Sequence, residues 1–180
     1  MTRNYIALRI KRHGTIFILK QPTNSQPFPA YLKNGNQLWV TAIQLSVGSL
    51  IAPLSRPTSE YIVATMTDQK FYEEYQLLKV NCRGSLFRFD TTARDTFGRS
   101  INESADLVYL DLPLCLYQSA APKDQINPAI SSTCTVYRFT TATGYEVRTK
   151  DQLHIGDTNL TITALLIQPD GLLTFEAVNA

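Results

Sequence analysis

Apolar and polar residues alternate most regularly in the last thirty residues of the chain, 151–180. Between residues 160 and 166 every second position is apolar, and the alternation resumes from Leu173 to Ala177. A period of two is typical of a strand with one buried face. Gly156 and Gly171 mark tight turns between the alternating segments. The pattern predicts three antiparallel strands, an arrangement found in small barrels and sandwiches.

The start of the chain supports two interpretations. Ile6, Leu8 and Ile10 fit a strand with a period of two, whereas Ile6 and Ile10 also fit one turn of a helix. Residues 15–19 are rich in β-branched and aromatic side chains and predict a strand. Residues 21–36 contain three prolines and predict a loop or an extended arm.

The middle of the chain predicts further strands separated by long loops. Strands are expected at 61–66, 107–110, 112–117 and 133–140, a hairpin from 75–81 and 86–89, a helical turn at 68–75, and loops at 90–106 and 118–132. We see no internal repeat. The expected fold is mainly β, a small antiparallel barrel or sandwich with long loops and an extended N-terminal arm. Residues 1–66 form a basic segment that is part of the core or packed on it, and residues 67–180 form the antiparallel β domain.

Charge is distributed unevenly along the 180 residues. The net charge is only +2, but residues 1–58 carry seven Lys and Arg and no Asp or Glu. Such asymmetry often marks a segment that meets an acidic partner or nucleic acid, although a solvated basic face explains it equally well. Basic side chains near Tyr5 and Phe17 are the candidates for contact with DNA phosphates. They are Arg3, Arg9, Lys11, Arg12 and Lys20.

Cysteine usage and apolar runs bear on where the protein works. Cys82, Cys115 and Cys134 are odd in number and lack the close spacing of a zinc site, so we expect free thiols in a reducing compartment. The N-terminus has no signal-peptide pattern, and no apolar run approaches the length of a membrane span. We therefore expect a chain made in the cytoplasm, with no membrane contact.

Residues with catalytic chemistry are present but poorly arranged. His13 and His154 lie far apart in the sequence and are weak evidence for a metal site. Four carboxylates lie within a short span that also contains Arg88, Arg94 and Arg99, so ion pairs are favoured over acid–base chemistry. These carboxylates are Asp90, Asp95, Asp106 and Asp111. Phosphate-loop, dinucleotide and serine-nucleophile motifs are absent. We expect no enzyme activity, no metal and no cofactor.

One polar loop has the composition of a protein interface. Residues 91–99 contain a single aromatic flanked by charged residues, a combination favoured at interface centres. The interface candidates are Arg94, Asp95, Phe97 and Arg99. The alternative is an ordinary loop whose Phe97 packs into the core.

Several short segments of the chain share a residue pattern with one known family. The segment Asp151-Gln152-Leu153-His154-Ile155-Gly156-Asp157, followed by Leu160-Thr161-Ile162 and Asp170-Gly171, is similar to the ending of the neck proteins of tailed bacteriophages, the head-closure or head–tail connector class. Arg12-His13-Gly14-Thr15 is similar to their start, and Arg94-Asp95 with Gly98-Arg99 to one of their loops. The resemblance covers chiefly residues 75–180.

The resemblance implies a β-barrel subunit without enzymatic activity that forms a ring, a hexamer or dodecamer. It also implies a portal or adaptor protein on one side, a tail tube or terminator protein on the other, and non-specific contact with DNA in the channel. The place of action would be the virion, assembled in the host cytoplasm. Alternatives are a tail terminator, a β-sandwich binding module for a ligand or glycan, and an enzyme built on the carboxylates between 90 and 111.

Overall fold

The computed structural model describes residues 3–21, 27–41, 43–89, 105–120, 135–167 and 172–179. These residues form one helix and twelve strands, and the mainly β prediction is confirmed. In chain order they are α1 (Arg3–His13), β1 (Thr15–Gln21), β2 (Phe28–Lys33), β3 (Gln37–Val40), β4 (Leu50–Pro53), β5 (Tyr61–Gln69), β6 (Tyr72–Lys79), β7 (Cys82–Phe89), β8 (Ala105–Ala120), β9 (Val136–Thr141), β10 (Gln152–Ile155), β11 (Thr158–Ile167) and β12 (Leu173–Asn179).

The chain divides into two compact units. The first contains residues 1–81, 141–145 and 167–173, and the second contains the remainder. The expected boundary after residue 66 falls inside β5, whereas the first unit runs on to Asn81. Residues 1–66 supply α1, β1 to β4 and most of β5, all of which belong to the first unit.

The first unit is built on a closed six-stranded barrel with the order β1-β2-β3-β6-β5-β4. β1 closes it by pairing with β2 on one side and β4 on the other, both antiparallel. Asn34 and Gly35 turn the chain between β2 and β3, each with positive φ (54° and 79°). Asn and Gly tolerate this conformation best, which suits the three-residue turn, 34–36, between the paired Lys33 and Gln37. Phe17 and Tyr75 are fully buried in the barrel interior.

The second unit is built on another closed six-stranded barrel, with the order β10-β11-β12-β9-β8-β7. Counted from its own first strand, β7, this is the same circular order as in the first barrel. Phe139 and Phe175 stack in its core with ring centroids 5.5 Å apart. The three strands predicted for the tail are confirmed as β10, β11 and β12, and Gly156 turns with φ of 56°. The turn predicted at Gly171 lies outside the described residues.

The first segment is a helix, not a strand. Ile6 and Ile10 are both buried, while Leu8 between them is 44% exposed, which is the pattern of a helix with one apolar face. Gly14 ends the helix, since a Cβ there would lie 2.1 Å from the carbonyl oxygen of Ile10. The loop predicted for 21–36 is also wrong in part, because it contains β2.

Two further local predictions are wrong. Residues 68–75 form a β-hairpin, in which Asp68 pairs with Glu73 and Gln69 with Tyr72, instead of a helical turn. The hairpin expected from 75–81 and 86–89 does not form, because β6 pairs with β3 and β5 and belongs to the first barrel. β7 pairs with β8 and β10 in the second.

Pro113 does not interrupt β8, which was expected as two strands. The register between β7 and β8 shifts near Asp111, whose φ is 63°, and the strand continues through Pro113 opposite Arg83. Proline is tolerated beside such an irregularity because the ladder is already locally disrupted.

Candidate interaction surface

Helix α1 packs on the outer face of the first barrel. Ile6 and Ile10 contact Trp39 of β3, and the partly buried Tyr31 and Tyr72 pack against the same cluster. Trp39 is 4% exposed, and its ring centroid lies 5.6 Å from that of Tyr31 and 5.2 Å from that of Tyr72. An outward-facing tryptophan is buried here because the helix covers it.

Cations and aromatic rings alternate beside this cluster. The guanidinium of Arg9 lies 5.4 Å from the ring centroid of Tyr5 and 5.9 Å from that of Tyr31, and its Nε donates to the Tyr5 hydroxyl at 3.0 Å. This hydrogen bond raises the pKa of Arg9. The Nζ of Lys33 lies 4.9 Å from the Trp39 ring. Contacts of this kind stabilise a cation on the face of a ring.

The outward side of α1 combines an apolar residue with two cations. Leu8, Lys11 and Arg12 are exposed, and their spacing of three and four residues places them on one side of the helix. We call these three residues the helix face. Lys11, Arg12 and His13 form a basic last turn, which the helix dipole favours.

The predicted basic candidates separate in the structure. Arg9, Lys11 and Arg12 lie together on α1, whereas Lys20 of β1 forms an ion pair with Glu60, which is 3% exposed, and also donates to the carbonyl of Pro57 at 2.8 Å. Phe17, expected beside the cations, is fully buried. The side chain of Arg3 lies outside the described part of the structure.

A cleft of about 450 Å³ opens between the end of β3 and the β5–β6 hairpin. We call it the barrel cleft. Its lining is apolar at Val40, Ile43 and Phe71, and polar or charged at the other positions, among them Gln44, Asp68, Gln69, Lys70 and Glu73. Phe71 is 39% exposed. The sequence does not indicate this cleft, because residues 68–75 are expected to be a helical turn and form a β-hairpin instead.

A buried hydroxyl holds one carboxylate of the barrel cleft in place. The hydroxyl of Tyr75 donates to Glu73 Oε2 and accepts a hydrogen bond of 2.8 Å from the backbone N–H of Leu45. Burial and, secondarily, the hydrogen bond with Glu73 raise the pKa of Tyr75 well above its usual value of 10.0. Glu73 is therefore oriented by a hydroxyl that keeps its proton. Asp68 lies opposite Glu73 in the ladder.

The carboxylates predicted between residues 90 and 111 do not form a common site in the described structure. Asp111 accepts a hydrogen bond from Arg83, and Asp106 is exposed at the start of β8. Asp90 and Asp95 lie outside the described residues. The same holds for the four interface candidates, Arg94, Asp95, Phe97 and Arg99.

The two histidines lie in separate units. His13 is exposed at the end of α1, and His154 of β10 stacks on Phe87 with ring centroids 4.4 Å apart. The Nε2 atom of His154 is buried without a hydrogen-bond partner among the described residues. In the described ranges no three His, Cys, Asp or Glu side chains come close enough to hold a metal ion.

A buried ion pair in the second barrel was also missed. Asp151, 3% exposed, accepts two hydrogen bonds of 2.9 Å from Arg88 and one of 2.9 Å from the backbone N–H of Arg148. The hydrogen bond with Asp151 raises the pKa of Arg88. Asp151 opens the segment that resembles neck proteins, and its carboxylate oxygens are used inside the barrel.

No family model, curated protein or solved structure matches this chain. Among the described residues, no helix has the length and apolar character needed to cross a membrane.

Proposed function

We propose that this protein is a structural component of a tailed-bacteriophage neck. In this proposal it forms a ring, hexameric or dodecameric, that joins or closes the portal or adaptor and the tail around the DNA channel. It acts in the virion after assembly in the host cytoplasm and carries out no chemical step. Its partners are its own copies, the portal or adaptor protein, and a tail tube or terminator protein.

The observation that carries the proposal is the helix face of α1. Lys11 and Arg12 project from the barrel next to Leu8, which is apolar and 44% exposed. A combination of apolar and cationic side chains on a rigid element suits binding to a macromolecular partner. Two barrels made of short antiparallel strands are compatible with the β-barrel subunit that the sequence resemblance implies.

Native mass spectrometry tests the neck proposal directly. The purified chain is measured alone and with the portal-type, adaptor and tail-tube proteins of the same source genome. We expect a closed ring or a defined complex with one of these proteins. A chain that stays monomeric and binds none of them would refute the proposal.

The barrel cleft favours a second candidate function, a binding module for a small ligand or glycan. Its volume lies in the range of ligand sites, and the mouths of β-barrels are frequent places for such sites. Phe71 offers a ring for stacking, while Asp68 and Gln69 offer hydrogen-bonding groups. A glycan array followed by calorimetry tests this candidate. Binding that the Phe71→Ala substitution weakens by about tenfold or more would support this candidate function. Failure to detect binding of any ligand class would count against it.

A further inference from the structure

Two surfaces of the first unit are complementary in chemistry. The helix face carries one apolar side chain and two cations, and the barrel cleft carries the exposed ring of Phe71 and two carboxylates. We propose that α1 of one copy docks in the barrel cleft of the next copy, with Leu8 on the Phe71 ring and Lys11 and Arg12 at the carboxylates. This inference rests on the proposed ring and names the contact that builds it.

The helix supplies an apolar side chain outside the cluster that it forms with the barrel. Ile6 and Ile10 pack with Trp39, whereas Leu8, 44% exposed, is not part of that cluster. A partner surface that covers Leu8 removes apolar area from water while its acidic groups pair with Lys11 and Arg12. Since Leu8, Lys11 and Arg12 share one side of the helix, a single partner surface can contact all three.

The cleft supplies the matching groups. Ile43 and Phe71 give the apolar part of the cleft, and the 39% exposed ring of Phe71 is the surface that Leu8 would contact. Asp68 is exposed, and Glu73 is oriented by Tyr75, so both carboxylates are available to pair with cations at the rim. The Nζ of Lys70 lies over the Phe71 ring, 5.5 Å from its centroid.

A protein occupant fits these surfaces better than DNA does. Phosphates would pair with Lys11 and Arg12 but would leave Leu8 exposed to water. The barrel cleft, with Asp68 and Glu73 against Lys70, carries more negative than positive charge and would repel DNA. A second copy of the chain uses both surfaces at once.

The contact is heterologous because a helix face and a cleft are different surfaces. Each copy uses its helix face toward one neighbour and its barrel cleft toward another. Heterologous contacts form rings when the rotation between copies closes. The same contact would be weakened by salt, since exposed charges are screened within about 8–10 Å at physiological ionic strength.

Charge reversal with mixing provides the test. Variant A carries Lys11→Glu and Arg12→Glu, and variant B carries Asp68→Lys and Gln69→Lys; all four positions are exposed, so folding is expected to be unaffected. In variant A an acidic helix face meets an acidic cleft, and in variant B a basic helix face meets a basic cleft. In a mixture, every A helix can meet a B cleft and every B helix an A cleft.

Self-association is measured by sedimentation velocity at low and physiological salt. We expect the wild-type chain to associate, each variant alone to associate at least about tenfold more weakly, and the equimolar mixture to recover association. Arg56→Glu and Asp157→Lys are matched controls, because they reverse exposed charges outside both surfaces. We expect neither control to change association.

Three results would overturn the contact. One is association of both variants as strong as that of the wild type, which would leave the ring proposal intact but place its interface elsewhere. Another is a wild-type chain that remains monomeric at the highest attainable concentration, in which case the neck proposal depends on binding to the portal-type ring alone. The third is an equimolar mixture in which association does not recover, which would show that the helix face and the barrel cleft do not meet; DNA binding by the wild type that variant A loses, measured with a DNA fragment in the same sedimentation experiment, would then assign the helix face to DNA.

Discussion

The two barrels share a strand order, and each has an ion pair near the end of its first strand. In each barrel the penultimate residue of the first strand is a cation that neutralises a buried carboxylate. Lys20 of β1 pairs with Glu60, and Arg88 of β7 pairs with Asp151; each carboxylate is 3% exposed. The two acidic residues occupy different positions in the strand order. Glu60 directly precedes β5, the fifth strand of the first barrel, whereas Asp151 directly precedes β10, the fourth strand of the second. The same electrostatic requirement is therefore met by unrelated residues.

The barrels differ in their additions to this common plan. The first is covered on one side by α1 and has the barrel cleft and the buried Tyr75 hydroxyl. In the second, the hydroxyls of Thr140 and Thr174, both buried, form a hydrogen bond of 3.0 Å. The two barrels have the same topology, and the helix face and the barrel cleft are additions to the first. A fold alone does not define function for this reason.

The largest effect is expected from the buried ion pair of the second barrel. Arg88→Met leaves the buried carboxylate of Asp151 without its cation and with the hydrogen bond from the N–H of Arg148, and should lower the free energy of unfolding by about 3–5 kcal/mol. Arg83→Met on the same strand is the matched control. Arg83 pairs with Asp111 at the surface, so its loss should cost at most about 1 kcal/mol. Chemical denaturation measures the free energy of unfolding of both variants. Equal losses in the two variants would contradict the expected difference between the buried and the exposed ion pair.

The packing of α1 on Trp39 distinguishes the first barrel and can be weakened by a single substitution. Ile6→Ala creates a cavity between α1 and Trp39 and should cost about 2–4 kcal/mol. Trp39 is the single tryptophan of the chain, so its fluorescence reports directly on this layer. We expect a red-shifted emission in Ile6→Ala and an unchanged emission in Leu8→Ala, whose side chain is exposed. A red shift of the same size in both variants would mean that Leu8 also packs on the layer.

A smaller effect is expected inside the first barrel. Tyr75→Phe keeps the ring but removes the hydroxyl that connects Leu45 and Glu73. The N–H of Leu45 then lacks its acceptor, and the free energy of unfolding should fall by about 1–3 kcal/mol. Thermal unfolding measures the loss. No change in the midpoint would show that water replaces the hydroxyl at no cost.

The smallest and most specific effect is a dependence on alkaline pH. Burial raises the pKa of Tyr75 above 10.0, so the folded protein retains this proton at pH values where the unfolded chain loses it. The contribution of Tyr75 to stability is complete below pH 10 and declines as the pH rises above 10, by up to about 1.4 kcal/mol per pH unit. Denaturant unfolding between pH 9 and 11 should show a shallower decline in Tyr75→Phe. If the free energy of unfolding declined equally with pH in the wild type and in Tyr75→Phe, the raised pKa of Tyr75 would be contradicted.

Part of the fold and part of the candidate surface could be predicted from the local sequence. The tail strands followed from strict alternation and from Gly156, and the basic character of the first segment followed from composition. Arg9, Lys11 and Arg12 were chosen for their charge and for the nearby aromatic residues, and all three belong to α1. Lys20 was chosen on the same ground but is paired with Glu60, forty residues away in sequence. Charge counting does not distinguish a surface cation from one that neutralises a buried acid.

The sequence by itself determined the β character of the chain, its tail strands and the acidic or basic character of each segment. These depend on the periodicity and composition of neighbouring residues. Only the tertiary structure decided that residues 3–13 are helical, that β6 and β7 belong to different barrels, and that the barrel cleft exists. Each of these depends on contacts between distant residues, such as Ile6 with Trp39 or Arg88 with Asp151, sixty-three positions apart. Burial against such partners outweighs local propensity, because the free energy of packing exceeds the small preference of any one residue for helix or strand.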